Sequence, residues 1–281
     1  MVKEEAGGGL RMCLTASPQS PVWWGTFGLE SCVERAWRIG PLQLWVQSLP
    51  MELRVAMVRG VDPQLGLTTA QPDLPSEQPP EDAEVMRFGL KEAPKHVVLS
   101  PGLADRPMVA RPRVPLLLPP GGRAAIFLST PLWVRVEADE PQQVLLDVPT
   151  YRPSDTWFGP STVKGELCYA SATQAHMDLS LLERLPHRVI SSVVIHNRAS
   201  DLLTLKRIKL PTAQLSLFVD AQGFLWTQSM MLERESATES DLVFMHLSAT
   251  PPVEAGDTQR VSQPREQDRG RFVRALQAFL S

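Results

Sequence analysis

Polar and apolar residues alternate along most of this chain. In "MELRVAMVR", Leu53, Val55 and Met57 fall on one side and Glu52 and Arg54 on the other, the period of two of a half-buried strand. "PLWVRVEA" repeats it, with Leu132, Val134 and Val136 set against Trp133, Arg135 and Glu137. "RVISSVVIHN" is β-branched and stops at the turn former Asn197, after which "ASDLLTLKRIKLP" resumes. "AQLSLFVDAQGFLWTQ" predicts two strands around a turn from Asp220 to Gly223, and "DLVFMHLS" alternates once more. Short strands separated by turn signals, with no long helical period to make β-α-β crossovers, predict an all-β fold of sandwich-like domains.

The last residues break the pattern. "DRGRFVRALQAFLS" places Phe272, Leu276, Phe279 and Leu280 at helical spacing behind Asp268 as N-cap, which predicts an amphipathic α-helix over 268–281. Such a helix is too short to stand alone in water and needs a surface, either its own domain or a partner. Twenty-six prolines, nearly twice the usual ~5% share, cut the rest into short elements. Val61 to Glu84 carries five prolines and six acids without Lys or Arg, and reads as a disordered loop or solvated linker. Residues 250–267 read as a polar connector. The expected organisation is a flexible N-terminus (1–20), a β domain (21–150, interrupted by 61–84), a second β-sandwich domain (151–249), the connector (250–267) and the helix (268–281).

Composition narrows the function. A net charge of −3 with scattered arginines offers no clustered basic surface, so no nucleic-acid partner is expected. Three cysteines, Cys13, Cys32 and Cys168, form no C-x-x-C pair, which predicts reduced thiols and no zinc site. The first twenty residues have acids and glycines where a signal peptide needs an apolar run, and no stretch approaches the ~20 apolar residues of a membrane span. A cytoplasmic protein is the expectation.

The stretch "TWFGPSTVKGELCYAS", Thr156 to Ser171, is where chemistry-bearing residues crowd together. It is not a phosphate cradle: Gly159 and Gly165 stand in the wrong order relative to Lys164, and a strand follows where a P-loop needs a helix. G-x-G-x-x-G, H-E-x-x-H and G-x-S-x-G are absent, so no nucleotide, metal or other cofactor is expected. Cys168 is a candidate nucleophile with His187 or His196 as its base, if the thiol is partly exposed in electropositive surroundings; between Leu167 and Tyr169 a small buried hydrophobe fits the position equally. The seven tryptophans (Trp23, Trp24, Trp37, Trp45, Trp133, Trp157, Trp226) raise a third class, sugar or small-ligand binding through exposed rings, against core packing.

The succession "PLLLPPGGRAAIFLSTPLWVRVE", "WFGPSTVKGELCYAS" and "VISSVVIHNRASDLLTLKRIKLP" resembles the prokaryotic family called domain of unknown function 432. That family has an aromatic-glycine-proline turn, a glycine, a cysteine-containing strand and an I-x-N strand. Phe158, Gly159, Pro160, Gly165, Cys168, Tyr169, Ile195 and Asn197 match those positions. The resemblance implies no activity, cofactor or catalytic residue, and it marks Trp157, Phe158, Gly159, Gly165, Cys168 and Tyr169 as a shared landmark and possible binding site. The expected function is that of a non-enzymatic interaction or scaffold protein with a protein partner or self-association through a sheet. A small-ligand or carbohydrate module, or a Cys168-dependent hydrolase, stand as alternatives.

Overall fold

The structure is a computed structural model that describes residues 22–29, 34–60, 70–72, 78–138, 143–159, 163, 165–173, 175–235, 243–266 and 273–274. The fold is all-β. Strands β1 (Gly25–Gly28), β7 (His96–Gly102), β11 (Trp133–Ala138) and β12 (Gln143–Pro149) form an antiparallel sheet in the order β1-β7-β11-β12. A second antiparallel sheet, ordered β5-β2-β3-β4-β6, contains β2 (Glu34–Ile39), β3 (Leu42–Leu49), β4 (Glu52–Arg59), β5 (Ala70–Pro72) and β6 (Glu84–Gly89). A third is built from β8 (Met108–Pro112), β13 (Ser154–Phe158), β14 (Glu166–Thr173) and β17 (Ile208–Leu210), ordered β13-β14-β8-β17. Strands β9 (Leu116–Leu118) and β16 (Leu203–Leu205) pair as a ribbon.

The largest sheet centres on β15 (Arg188–Asn197). On one edge β15 takes β10 (Arg123–Pro131) antiparallel; on the other it takes β19 (Leu225–Thr227) and then β20 (Met230–Arg234), both parallel. Outside these lie β18 (Leu217–Asp220), β21 (Val243–Leu247), β22 (Thr258–Ser262) and β23 (Val273–Arg274). Nearly every side chain of β15 is buried, on both faces, which is why its sequence is a continuous β-branched run and not an alternation. The parallel pairings, β14 with β8 included, need no helical crossover, because other strands and loops make the connections.

The alternation read from sequence sets the core. Leu53, Val55 and Met57 of β4 and Leu132, Val134 and Val136 at β11 are all buried in one cluster. The same cluster holds Leu42 and Leu44 of β3, Val193 and Ile195 of β15, and Met230 and Leu232 of β20, so several sheets share a single interior. The turn at Asp220 to Gly223 forms as expected: the Asp220 carboxylate accepts from the backbone N–H of Gln222 and Phe224 (2.9 Å each), and Gly223 has φ 88°. Asp220 also accepts from Trp226 Nε1 at 2.9 Å, fixing a buried ring.

Several expectations are changed. The boundary expected between 150 and 151 is crossed by the pairings β8–β14, β8–β17 and β10–β15. Within 61–84, Ala70–Pro72 forms β5 against β2, while 61–69 and 73–77 lie outside the described residues. The connector 250–267 carries β22, which pairs with β18, and Ala255 is buried beneath it in a small cluster with Phe127, Ile190 and Trp226. An edge strand draws its stability from ladder hydrogen bonds on one side, so "TQRVS" needs no apolar alternation. The helix predicted over 268–281 is not shown. Of that segment only Val273 and Arg274 are described, and they pair as strand with Phe244 and Met245 of β21, whose outer edge offers backbone groups to a neighbour. Residues 1–20 lie outside the described residues.

Asn197, part of the I-x-N match, has a structural reason. Its Nδ2 donates to the carbonyls of Leu118 (3.0 Å), Pro119 (3.2 Å) and Asp201 (2.8 Å), and its backbone bonds Gly121 and Gly122. The buried side chain thus ties the 118–122 turn to the end of β15. Asn197→Ala strands those carbonyls and is expected to cost about 2 kcal/mol, read as a lower urea midpoint with an unchanged slope.

Candidate functional site

The landmark stretch folds as a hairpin. β13 and β14 pair with Thr156 opposite Cys168 and Phe158 opposite Glu166, and Gly159 turns the chain at φ 151°. Alternation along β14 points Cys168 inward, where it is fully buried against Val109 and Phe158. Its Sγ lies 3.5 Å from the Glu166 carbonyl. Burial pushes the thiol up to about 11; the Glu166 carboxylate adds to this, and the Lys209 ammonium opposes it. That ammonium is committed to Glu166 at 2.8 Å and sits 5.8 Å from the Phe158 ring. A thiol held protonated in an apolar pocket is a poor nucleophile.

The histidines weighed beside it are elsewhere. His187 is buried, with its carbonyl accepting from Leu132 N–H (3.1 Å) and Thr150 Oγ1 (3.3 Å). His196 lies on β15, where its Nδ1 accepts from Arg198 and stands 3.6 Å from the Glu233 carboxylate. Among the described residues neither histidine acts on Cys168, whose charged neighbours are Glu166 and Lys209. In a Cys13→Ser, Cys32→Ser background, native Cys168 is therefore expected to resist a disulfide-exchange reagent at pH 8, reacting at roughly a hundredth or less of the rate in 6 M guanidinium, as followed by absorbance of the released thiolate. Equal rates would show the thiol to be wet.

The tryptophans divide unevenly. Trp23, Trp37, Trp45, Trp133 and Trp226 are buried, Trp24 is half-buried, and Trp157 is 45% exposed on the edge strand β13. A sugar platform is left with Trp157 at its centre.

One landmark residue leads to a different place. Tyr169, next to Cys168 on β14, points to the opposite side and lines a pocket of about 430 Å³ with Arg59, Asp105, Trp133, Asp147, Pro149, Arg152 and Arg265. This volume lies within the ~300–1,000 Å³ of small-molecule sites, though the lining is unusually polar. Cross-strand register builds its floor: Trp133 faces Pro149, and Arg135 faces Asp147, across β11 and β12. Arg135 Nε donates to Asp147 at 3.0 Å. Arg265, which follows β22, makes a bidentate pair with the same carboxylate, and its Nε donates to the Leu103 carbonyl at 2.7 Å. Gly102 of β7 lies against this group, within van der Waals reach of it. A Cβ there would meet Arg135 Nε and Arg265 Nη2 at 3.4 Å and Trp133 Cβ at 3.6 Å.

The wall is aromatic. The Tyr169 ring sits 5.5 Å from that of Trp133, and the Arg106 guanidinium lies 5.3 Å from its centroid. The Tyr169 hydroxyl donates to Asp105 at 3.1 Å; burial and then the Asp105 charge raise its pKa, so it remains a neutral donor. Arg59 reaches the pocket from the end of β4, paired with Glu84. Arg152, just after β12, is exposed and has no hydrogen-bond or ion-pair partner among the described residues. Tyr169 and Trp133 were candidates from sequence; the charged lining was not foreseen. Its arginines and aspartates are single residues in separate segments, Arg265 meeting Asp147 across 118 positions, and no local spacing announces them.

A second, smaller hollow of about 250 Å³ lies between Glu34, Trp45, Arg54 and Arg87 on the five-stranded sheet. Among the described residues no group of three His, Cys, Asp or Glu is placed to hold a metal ion, and no helix is long and apolar enough to cross a membrane. Comparison with curated proteins and with solved structures returned no match. A family model matches residues 23–280, nearly the whole chain, and includes both the landmark hairpin and every residue of the arginine pocket. The chain thus belongs to the family described as protein of unknown function (DUF432).

Proposed function

We propose that this is a non-enzymatic, cytoplasmic binding protein whose β scaffold presents the arginine pocket to a small ligand. The observation that carries the reading is the pocket itself, in which side chains from five separated stretches of chain (Arg59, Asp105, Trp133 to Pro149, Tyr169 and Arg265) converge on one hollow. Its groups suit holding better than reacting. Asp147 is shared by two guanidiniums, Asp105 by Tyr169 and Arg106, and neither carboxylate is left as a ready base. A buried free thiol at Cys168 suits a reducing compartment.

The test is a thermal-shift screen of phosphates, carboxylates, neutral sugars and amines, followed by calorimetric titration of any compound that stabilises the protein. A binding protein of this kind rises in melting temperature with one chemical class, saturably. Turnover of a bound compound, or stabilisation by none, would sink the reading. A second reading, association with a protein partner or another copy, is favoured at one place: β13 is an edge strand and carries the exposed Trp157. Sedimentation of wild type and Trp157→Ala reads that directly. Loss of a dimer in the variant supports it, and a wild-type monomer at all concentrations rejects self-association.

A further inference from the structure

We infer that the ligand of this pocket carries an oxyanion, a carboxylate or phosphate group, held by Arg152 with help from Arg59 and Arg265. The inference rests on the reading of the pocket as a ligand site. The lining places three arginines against two aspartates, and Arg135 adds a further guanidinium behind Asp147. One carboxylate therefore neutralises only one of its two partners, and the Arg135–Asp147–Arg265 group keeps a positive charge. Elsewhere in the lining the arginines are matched by acids, Arg59 by Glu84 at 2.5 Å and Arg106 by Asp105 at 3.7 Å and Asp155 at 3.5 Å, so the positive charge lies on the Arg265 and Arg152 side of the pocket.

Donors remain available. A guanidinium has five N–H groups, and Arg265 uses three, on Leu103 and Asp147. That leaves one N–H on each terminal nitrogen of a side chain already fixed by its other bonds, so little ordering cost remains when an anion arrives. Arg152 has no hydrogen-bond or ion-pair partner among the described residues, which leaves its fork to face the pocket. The Trp133 and Tyr169 rings exclude water from one side and strengthen each charge-assisted hydrogen bond. A cationic ligand would meet this charge unfavourably, and a neutral sugar would leave it unused.

The probes are inorganic phosphate and citrate, titrated at constant ionic strength against chloride, with trehalose and choline as neutral and cationic controls. Wild type and Arg152→Ala are compared by melting temperature and calorimetry; Arg152 is exposed, so its truncation leaves the fold intact. Saturable binding of phosphate or citrate, weakened about tenfold or more in Arg152→Ala, supports the inference. Phosphate alone identifies a phosphate ligand, citrate alone a carboxylate. An equal rise in melting temperature for both proteins is the general effect of excluded salts and overturns it. Binding of trehalose or choline alone also overturns it, while leaving the ligand-pocket reading standing; binding of none of the four removes the oxyanion and counts against the pocket as well.

Discussion

Gly40→Ala is expected to lower the melting temperature by about 10 °C. Gly40 and Pro41 form the two-residue connection between β2 and β3, with Ile39 opposite Leu42. Proline fixes a negative φ at the second position, so the turn must be of the type with positive φ only at the first, and Gly40 has φ 57°. An L residue there costs roughly 1–2 kcal/mol. The larger effect is contact. A Cβ on Gly40 would stand 2.3 Å from the His187 ring, which is fully buried and whose carbonyl anchors Leu132 and Thr150. Overpacking of this kind costs roughly 1–3 kcal/mol more. At ~2–4 °C per kcal/mol for a chain of this size, the sum gives the expected shift. A double-mutant cycle separates the two causes. In a His187→Ala background the collision is gone, and Gly40→Ala should cost only the roughly 1–2 kcal/mol of backbone strain. The same loss in both backgrounds would show that the ring is not the obstacle.

Asp147→Ala is the second large effect, expected at about 3 kcal/mol. The carboxylate holds Arg135 and Arg265 together, and the three side chains are only 18–23% exposed. Removing it leaves two like charges adjacent and half-desolvated, which costs far more than the loss of an exposed surface pair. Asp147→Asn keeps one acceptor and should fall between. Arg265→Ala in the Asp147→Ala background should recover part of the stability, since the orphaned charge is removed with its partner. Because Asp147→Ala makes the pocket more positive, phosphate should stabilise this variant more than wild type. Chemical unfolding with and without phosphate checks both statements, and purely additive losses would mean that the residues do not act as one group.

What the sequence conveyed was local. Period-two alternation in β4 and β11 placed Leu53, Val55, Met57, Leu132, Val134 and Val136 in the core, but Trp133 and Glu137 on the other side of β11 are buried too; the Asp220–Gly223 turn was legible because an aspartate can bond its own following N–H groups. The strand at Cys168 was legible, but whether its thiol is wet or dry was not, since strand period cannot say which face is buried. The unread parts are non-local. β22 is polar and takes its place through ladder bonds to β18, so it looks like a connector. Parallel pairing of β8 with β14 joins residues some sixty positions apart. The pocket brings together two guanidiniums, Arg135 and Arg265, that lie 130 positions apart on one carboxylate. Tyr169 was singled out with Cys168 in the family match, and period two sends the two side chains to opposite sides, one to the core and one to the pocket.

The central claim is that the functional surface is the arginine pocket and not the thiol hairpin. Hydrogen exchange, with and without whichever compound of the ligand panel stabilises the protein most, tests it most directly. Protection gathered at 102–106, 133–135, 147–152 and around Arg265, with the 156–168 hairpin unchanged, is the predicted result. Protection confined to 156–168, around Cys168 and Trp157, would contradict it.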